Sequence, residues 1–402
     1  MNHEFPTASL LIITMLAVMV PFLAARLYRL HVPIIVGELL CGIAVGQSGL
    51  DLIAPSPIID FLAAFGFSYL MFLSGLEVDF SLLHGKRSDA AARQPLLARP
   101  LPIAFATFGV TLLVASAVAW ALAAAGLISA PLMMALILST TSLGIVVPVL
   151  KERHMLNDAY GQAVLVCALV ADFATLLLIT IAAATDQDGL SLTPLLALLL
   201  IAAFGLVARL GKWALDDARS RHLVNELSHA TGQVRVRGSL ALMIAFIALA
   251  EQLGAELILG AFLAGAVISL LSDRGSHLHL KLDAIGFGFF VPFFFIMVGV
   301  RFDLSALLES PSALTLVPLL LLAAYAIKLA AATCLAVHFG ARRALAAGFL
   351  LSARLSLIVA AATISLELGL IDQATNAAII LVAIVTSTVS PMLFSRCLRA
   401  VG

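Results

Sequence analysis

Long apolar segments recur along the whole chain and constrain its fold more than any other feature. A transmembrane helix needs roughly 20 predominantly apolar residues to cross about 30 Å of hydrocarbon. Soluble domains are about 45–50% apolar, whereas this chain of 402 residues is 62% hydrophobic and only 11% charged. We therefore predict an all-α polytopic membrane protein with about thirteen spans, numbered 1 to 13, near residues 8–28, 33–50, 58–76, 101–127, 131–150, 160–184, 190–210, 236–253, 256–272, 284–300, 313–337, 343–366 and 373–395.

Charged residues between the spans predict the orientation. With the N-terminus outside, the inner loops hold nearly all Lys and Arg residues, while the outer loops are acidic except for Arg301, as the positive-inside rule requires. We therefore expect the C-terminus in the cytoplasm. The 23 basic and 23 acidic residues balance, which argues against a nucleic-acid partner. The four cysteines form no CxxC pair, so neither a disulfide framework nor a zinc site is predicted, and we expect no cofactor.

Two short matches indicate an internal repeat. Gly37–Gly42 in span 2 matches Gly260–Gly265 in span 9, and Gly75–Ser81 after span 3 matches Gly299–Ser305 after span 10. Seven spans separate the members of each pair, so the second copy is inverted in the membrane, as in many secondary transporters. We expect a first inverted repeat at 1–185 (spans 1–6), a linker at 186–234 with span 7 and a cytoplasmic loop, and a second repeat at 235–402 (spans 8–13).

Three charged residues fall in the middle of predicted spans, where charges are costly and therefore candidates for function. Asp172 lies about twelve residues into span 6, or roughly 18 Å deep at 1.5 Å per residue. Lys328 lies near the middle of span 11 and Arg354 near the middle of span 12. We expect all three at the bilayer midplane.

A run of hydroxyl residues marks the centre of span 5. Ser139, Thr140, Thr141 and Ser142 compete with the helix for backbone hydrogen bonds, and unwound backbone is tolerated at membrane depth where it lines a protein cavity. Span 12 holds the equivalent place in the second repeat, with Ser352 and Ser356 around its arginine. We therefore predict two broken, crossing helices whose free carbonyls and half-helix ends can hold a cation.

Structural roles for the same residues stay open. Asp172 and Lys328 could be an ion pair that joins two helices, and Arg354 could only neutralise half-helix carbonyl ends. The hydroxyl run could be a helix–helix contact. Glu38 in span 2 could be a packing or snorkelling residue or an accessory site residue.

The sequence resembles the second family of monovalent cation:proton antiporters, the bacterial sodium/proton and potassium/proton exchangers. The resemblance covers nearly the whole chain. It depends on Val32–Gly42, Met71–Glu77, Leu138–Ser142 followed by Pro148–Glu152, and Phe293–Gly299. It implies the sodium/proton antiporter-like fold, a location in the bacterial inner (plasma) membrane, and a homodimer through spans 1–3 and 8–10. The remaining spans 4–6 and 11–13 would form a core domain that slides as an elevator.

The resemblance also assigns the site. The family's ion-binding aspartate falls on Asp172, its core lysine on Lys328, and its unwound threonine region on Thr140 and Thr141. The residue before that aspartate is commonly Asp, Asn or Gln in relatives, but here it is Ala171. Lys328 thus lacks the partner proposed in two-aspartate members, so it would pair with Asp172 or be neutral when Asp172 is charged. The missing carboxylate favours electroneutral one-for-one exchange.

Exchange needs only one carboxylate, because a proton and a cation can compete for the same oxygens of Asp172. If the core moves only when Asp172 is occupied, competition becomes obligatory antiport of sodium or potassium for protons. The alternatives are a sodium-coupled uptake carrier, or a channel or sensor of the same fold. Of the intramembrane protease motifs, neither GxGD nor HExxH occurs in the sequence, so we do not expect an enzyme.

Overall fold

The computed structural model describes residues 6–26, 34–78, 100–155, 158–188, 202–207, 209–210, 233–253, 257–272 and 277–399. All regular structure in these ranges is helical, which confirms the predicted all-α class. The named helices are α1 (Thr7–Arg26), α2 (Ile34–Val45), α3 (Pro57–Leu76), α4 (Pro100–Ala124), α5 (Pro131–Ser139), α6 (Leu143–Glu152), α7 (Ala159–Asp188), α8 (Val234–Gln252), α9 (Leu257–Leu271), α10 (His277–Ile285), α11 (Val291–Val300), α12 (Leu304–Glu309), α13 (Pro311–Phe339), α14 (Ala341–Leu351), α15 (Ser356–Glu367) and α16 (Gln373–Arg399).

Predicted spans 1–6 and 8–13 each coincide with one or two of these helices. Within the described ranges, seven helical segments are long and apolar enough to cross a membrane, or eight if the bent pair α14–α15 counts as one span. Three further apolar helices are shorter. Span 7 (190–210) lies mostly outside the described residues, so the total of thirteen stays a prediction.

Local sequence explains where several helices begin and end. Proline occupies the first turn of α3, α5 and α13, where its missing N–H costs nothing. The side chain of Ser310 caps α13 by accepting from Ala313 N at 3.3 Å, and Gly340 ends that helix at φ 80°, a conformation that favours glycine. These local signals set the ends of the long helices that carry the candidate site.

Some boundaries differ from the prediction for physical reasons. Span 2 ends as a helix at Val45 and continues as turns, with Leu50 N donating to Ala44 O at 2.9 Å. The helix of span 10 starts earlier than predicted, at His277. The prediction began too late because the first residues of this helix are polar, and a search for apolar segments does not detect them. A π-helical turn, Gly286–Phe290, then joins α10 to α11, and an apolar pattern alone contains no signal for it.

The described helices group into two compact units. The first contains α3, α8, α9 and α10, and the second contains α2, α4–α6, most of α7 and α12–α16, while α1 and α11 are divided between them. Every helix of predicted spans 4, 5, 11, 12 and 13 falls in the second unit. The candidate site therefore belongs to a single unit.

The glycines of the predicted repeat make equivalent contacts. A Cβ on Gly75 would collide with the carbonyl oxygen of Phe262 and the nitrogen of Ala266. A Cβ on Gly299 would collide with the carbonyl oxygen of Leu39 and the nitrogen of Ile43. When Gly37 is aligned with Gly260, Leu39 corresponds to Phe262 and Ile43 to Ala266. The same backbone approach thus occurs once in each unit, which supports the internal repeat.

Candidate ion-binding site

Helix α5 ends in the middle of its span, and other groups satisfy its last carbonyls. The final four carbonyls of a helix have no partner within it. Thr140 Oγ1 donates to Ile137 O at 2.8 Å, Arg354 Nη1 to Leu138 O at 2.8 Å, and Lys328 Nζ to Ser139 O at 2.8 Å. The negative end of this half-helix thus faces the side-chain donors of two buried basic residues, the residue type that a helix C-terminus favours.

Arg354 joins three segments at this point. It is fully buried, and besides Leu138 O its Nη2 donates to Ala324 O at 3.1 Å and its Nε to Ser352 O at 3.3 Å. The guanidinium presents donors in a fixed planar fork. Arg354 therefore holds α5, α13 and the break after α14 in one arrangement.

Asp172 lies at the opposite side of the same break. Helix α6 starts at Leu143, and Leu143 N donates to Asp172 Oδ2 at 3.2 Å. A carboxylate is stabilised at the positive N-terminal end of a helix. Asp172 is 8% exposed, so this contact is well shielded from solvent and lipid.

The two broken helices lie against each other, as predicted. Thr141 Oγ1 accepts from Lys328 Nζ at 2.8 Å and donates to Leu351 O at 3.3 Å. Leu351 is the last residue of α14, and α14 and α15 are bent by 45° at residues 352–355. A chain of hydrogen bonds thus runs from Lys328 through Thr141 to the second break.

The other predicted residues vary in their closeness to this cluster. Ser139 and Ser352 are buried, but their hydroxyls donate to their own helices, at Ala135 O and Gly348 O. Ser142 is buried at the break, and Ala171 is buried next to Asp172 in the sequence. Ser356 is half-buried at the start of α15. Ser139 and Ser352 thus take part in the cluster through their backbone carbonyls, which accept from Lys328 and Arg354.

Glu38 is also buried, on α2, at 4% exposure. Its Oε2 has no hydrogen-bond partner among the described residues, and no described hydrogen bond joins it to the broken helices. Its place in the exchange site stays a prediction.

Sequence reasoning missed two groups of the cluster. Both are backbone atoms, Leu143 N and Ala324 O, which no residue type reveals. Sequence reasoning also did not single out Thr175, a buried hydroxyl residue three positions after Asp172 on α7, although the i, i+3 spacing of a helix places the two on one face.

The arrangement provides one carboxylate, several neutral oxygens and two buried basic side chains. Among the described residues, no three His, Cys, Asp or Glu side chains converge. Such a donor set suits a monovalent cation or a proton better than a divalent transition metal, which prefers several imidazole, thiolate or carboxylate ligands.

A family model described as sodium/hydrogen exchanger, transmembrane, matches residues 12–400. The chain belongs to this family. The chain is 37% identical over 391 residues to YjbQ of Bacillus subtilis, a protein assigned to Na⁺/H⁺ antiport, covering 97% of this chain and 62% of that protein. It thus spans less than two thirds of that relative's length.

Two further similarities extend the comparison. The chain is 25% identical over 375 residues to the Na⁺/H⁺–K⁺ antiporter GerN of Bacillus cereus, covering 90% of this chain and 89% of GerN. The structure of the sodium proton antiporter MjNhaP1 from Methanocaldococcus jannaschii at pH 8 matches with a TM-score of 0.60 at 15% identity, over 95% of this chain and 94% of that one. This match confirms the predicted antiporter-like fold of a multi-pass membrane protein.

Proposed function

We propose that this exchanger carries a monovalent cation, sodium or potassium, in one direction and a proton in the other, with Asp172 binding either. The observation that carries the proposal is the contact between Asp172 and the N-terminus of α6, on the other side of the break from the two basic side chains that bond to the end of α5. Relatives named as Na⁺/H⁺ and Na⁺/H⁺–K⁺ antiporters support both choices of cation.

Competition at Asp172 produces the exchange. A bound proton neutralises the carboxylate and removes its attraction for a cation, and a bound cation disfavours protonation, so the two ligands exclude each other. The α6 amide and the hydroxyl oxygens of Thr140, Thr141 and Ser142 surround the break without adding charge. One carboxylate then carries one proton or one cation, which gives one-for-one exchange.

Lys328 and Arg354 have a supporting role in this proposal. Their donors compensate the carbonyl end of α5, and both side chains are 2% exposed or less. Because these bonds do not involve the cargo, they can persist whether Asp172 holds a proton or a metal ion. We infer that they keep the break open and correctly shaped.

The finer features follow from the resemblance and stay predictions. We propose elevator-type alternating access, in which the unit that contains both breaks moves while Asp172 is occupied. We also expect a homodimer through spans 1–3 and 8–10, the bacterial inner membrane as the location, and the N-terminus outside.

The test is exchange by Asp172→Asn in proteoliposomes that contain a pH-sensitive dye. Asn keeps the size of the side chain and the acceptor for Leu143 N but cannot exchange a proton for a cation. We expect cation-dependent proton flux to fall to the level of empty liposomes. The matched control is Asp51→Asn, because Asp51 is exposed in a turn at φ 49°, a conformation that Asn tolerates; its flux should equal that of the wild type.

Normal exchange by Asp172→Asn would refute the assignment of this residue. A wild-type flux that saturates with cation and reverses with the pH gradient distinguishes a carrier from a channel. A linear, non-saturating current would favour the channel alternative instead.

A further inference from the structure

Thr175 is a buried hydroxyl residue with no role in the cluster described so far. It is fully buried on α7, and its Oγ1 has no hydrogen-bond partner among the described residues. Buried hydroxyls in helices ordinarily donate back to a carbonyl of the preceding turn. Thr111 does so to Thr107 O at 2.8 Å and Thr386 to Val382 O at 2.8 Å. The oxygen of Thr175 is thus available for another ligand.

The position of Thr175 on its helix directs this oxygen to Asp172. Residues three apart on an α-helix are neighbours on one face, about 5–6 Å apart at Cβ. Helical side chains also lean toward the N-terminus and cover the preceding turn, which here carries Asp172. The carboxylate in turn contacts the start of α6, so Thr175 belongs to the wall of the same site.

We propose that the hydroxyl of Thr175 is a second ligand from α7 for the cation that binds at Asp172, and that it sets the affinity for that cation. The inference rests on the proposed function, since it names a further residue of the same site. A hydroxyl oxygen is a neutral, hard donor of the kind that alkali cations accept. A proton needs no such ligand, because it forms a covalent bond with one carboxylate oxygen.

This difference between cation and proton makes a specific prediction. Thr175→Val keeps the shape of the side chain and removes its oxygen. We expect the apparent KM for sodium or potassium to rise about tenfold, with a maximal rate within about twofold of the wild type. The pH profile, measured with the cation at each variant's own KM, should not change. A merely structural role would instead alter the maximal rate or the folded yield and leave the KM unaffected.

Three further variants complete the experiment. Thr175→Ser retains the hydroxyl and should restore the wild-type KM, whereas Thr175→Ala should resemble the valine variant. The matched control is Thr111→Val, which removes an equally buried hydroxyl that is bonded within its own helix and should leave the KM unchanged. If Thr175→Val does not fold, as judged by size-exclusion chromatography, the comparison of Ser with Ala decides.

Two outcomes separate this inference from the function on which it rests. If the wild type exchanges and Thr175→Val keeps its KM within about twofold, Thr175 is not a ligand and the proposed function stands. If the wild type shows no exchange, the proposed function fails. Sodium and potassium binding to the purified protein, measured by calorimetry, then decides: weaker binding to Thr175→Val supports the inference, and equal or no binding overturns it.

Discussion

Removal of the Arg354 guanidinium tests whether the two broken helices depend on it. The side chain is fully buried and donates to Leu138 O, Ala324 O and Ser352 O. Arg354→Met keeps a long apolar stem and removes every donor. Arg354→Lys keeps the charge, but a single ammonium cannot reproduce the planar fork of a guanidinium. The two substitutions therefore separate the effect of charge from that of geometry.

The distances give the size of the effect. The bonds to Leu138 O at 2.8 Å and Ala324 O at 3.1 Å are well formed, whereas the bond to Ser352 O at 3.3 Å is long. A buried acceptor left without a donor costs about 1–3 kcal/mol. Methionine orphans Leu138 O at the end of α5, whereas Ala324 O lies inside α13 and keeps the bond of its own helix. We therefore expect the free energy of unfolding to fall by about 1–3 kcal/mol for Arg354→Met, and by less for Arg354→Lys, because lysine can still reach Leu138 O.

The assay is the apparent melting temperature of the purified protein in detergent, read from the monodisperse fraction after stepwise heating. We expect the order wild type, Arg354→Lys, Arg354→Met, with the last the least stable. The control is Arg396→Met, since Arg396 is exposed on α16 and should change stability by less than about 0.5 kcal/mol. A melting temperature for Arg354→Met equal to that of the control would refute the bracing role.

Two other predictions concern packing and capping. Gly75→Ala or Gly299→Ala should destabilise the protein by about 1–3 kcal/mol, because the added Cβ meets backbone atoms and overpacking has this cost; Gly109→Ala, which meets open space, should melt no lower than the wild type. At Asp303, hydrogen bonds from the backbone N–H of Ala306 and from a neighbouring serine hydroxyl lower the pKa of the carboxyl. The ionised Asp303 carboxylate therefore stabilises the folded protein at pH values above the ordinary pKa of an aspartate. This stabilisation is lost as the pH falls through the lowered pKa of Asp303. At neutral pH the wild type should melt at a higher temperature than Asp303→Ala, and this difference should shrink as the pH falls through that range. A difference that grew on acidification would contradict the reasoning.

The breaks in the helices were predictable because their cause is local. Four consecutive hydroxyl residues at 139–142 weaken a helix wherever they stand, and the structure interrupts the helix at 140–142. The short helix α12 was not predicted, although Asp303 caps it by accepting from Ala306 N at 2.8 Å. Its six residues are too few to show the periodicity of a helix, and they are too apolar to be distinguished from the spans on either side.

The partners of the buried charges were not predictable in the same way. A helix surrounded by lipid or by other apolar helices is apolar on every face, so the sequence does not show which face meets which neighbour. Lys328 and Arg354 were predicted at the midplane, but their acceptors are mainly backbone carbonyls of α5 and α13. Carbonyls are present at every residue, so residue types do not show which of them a buried donor reaches. Leu138 O and Ser139 O become available where α5 ends, whereas Ala324 O lies inside the continuous helix α13.

The direction of the hydrogen bonds in the cluster determines what has to move together. The carbonyl oxygen of Leu351 can only accept, so Thr141 donates its one proton there and accepts from Lys328. Arg354 donates to carbonyls at both breaks as well. Neither break can shift alone without leaving a buried carbonyl unpaired, at a cost of about 1–3 kcal/mol for each. The cheaper motion keeps both breaks and Asp172 as one body, which is the physical reason to expect the proposed carrier to transport its ion by moving this unit whole.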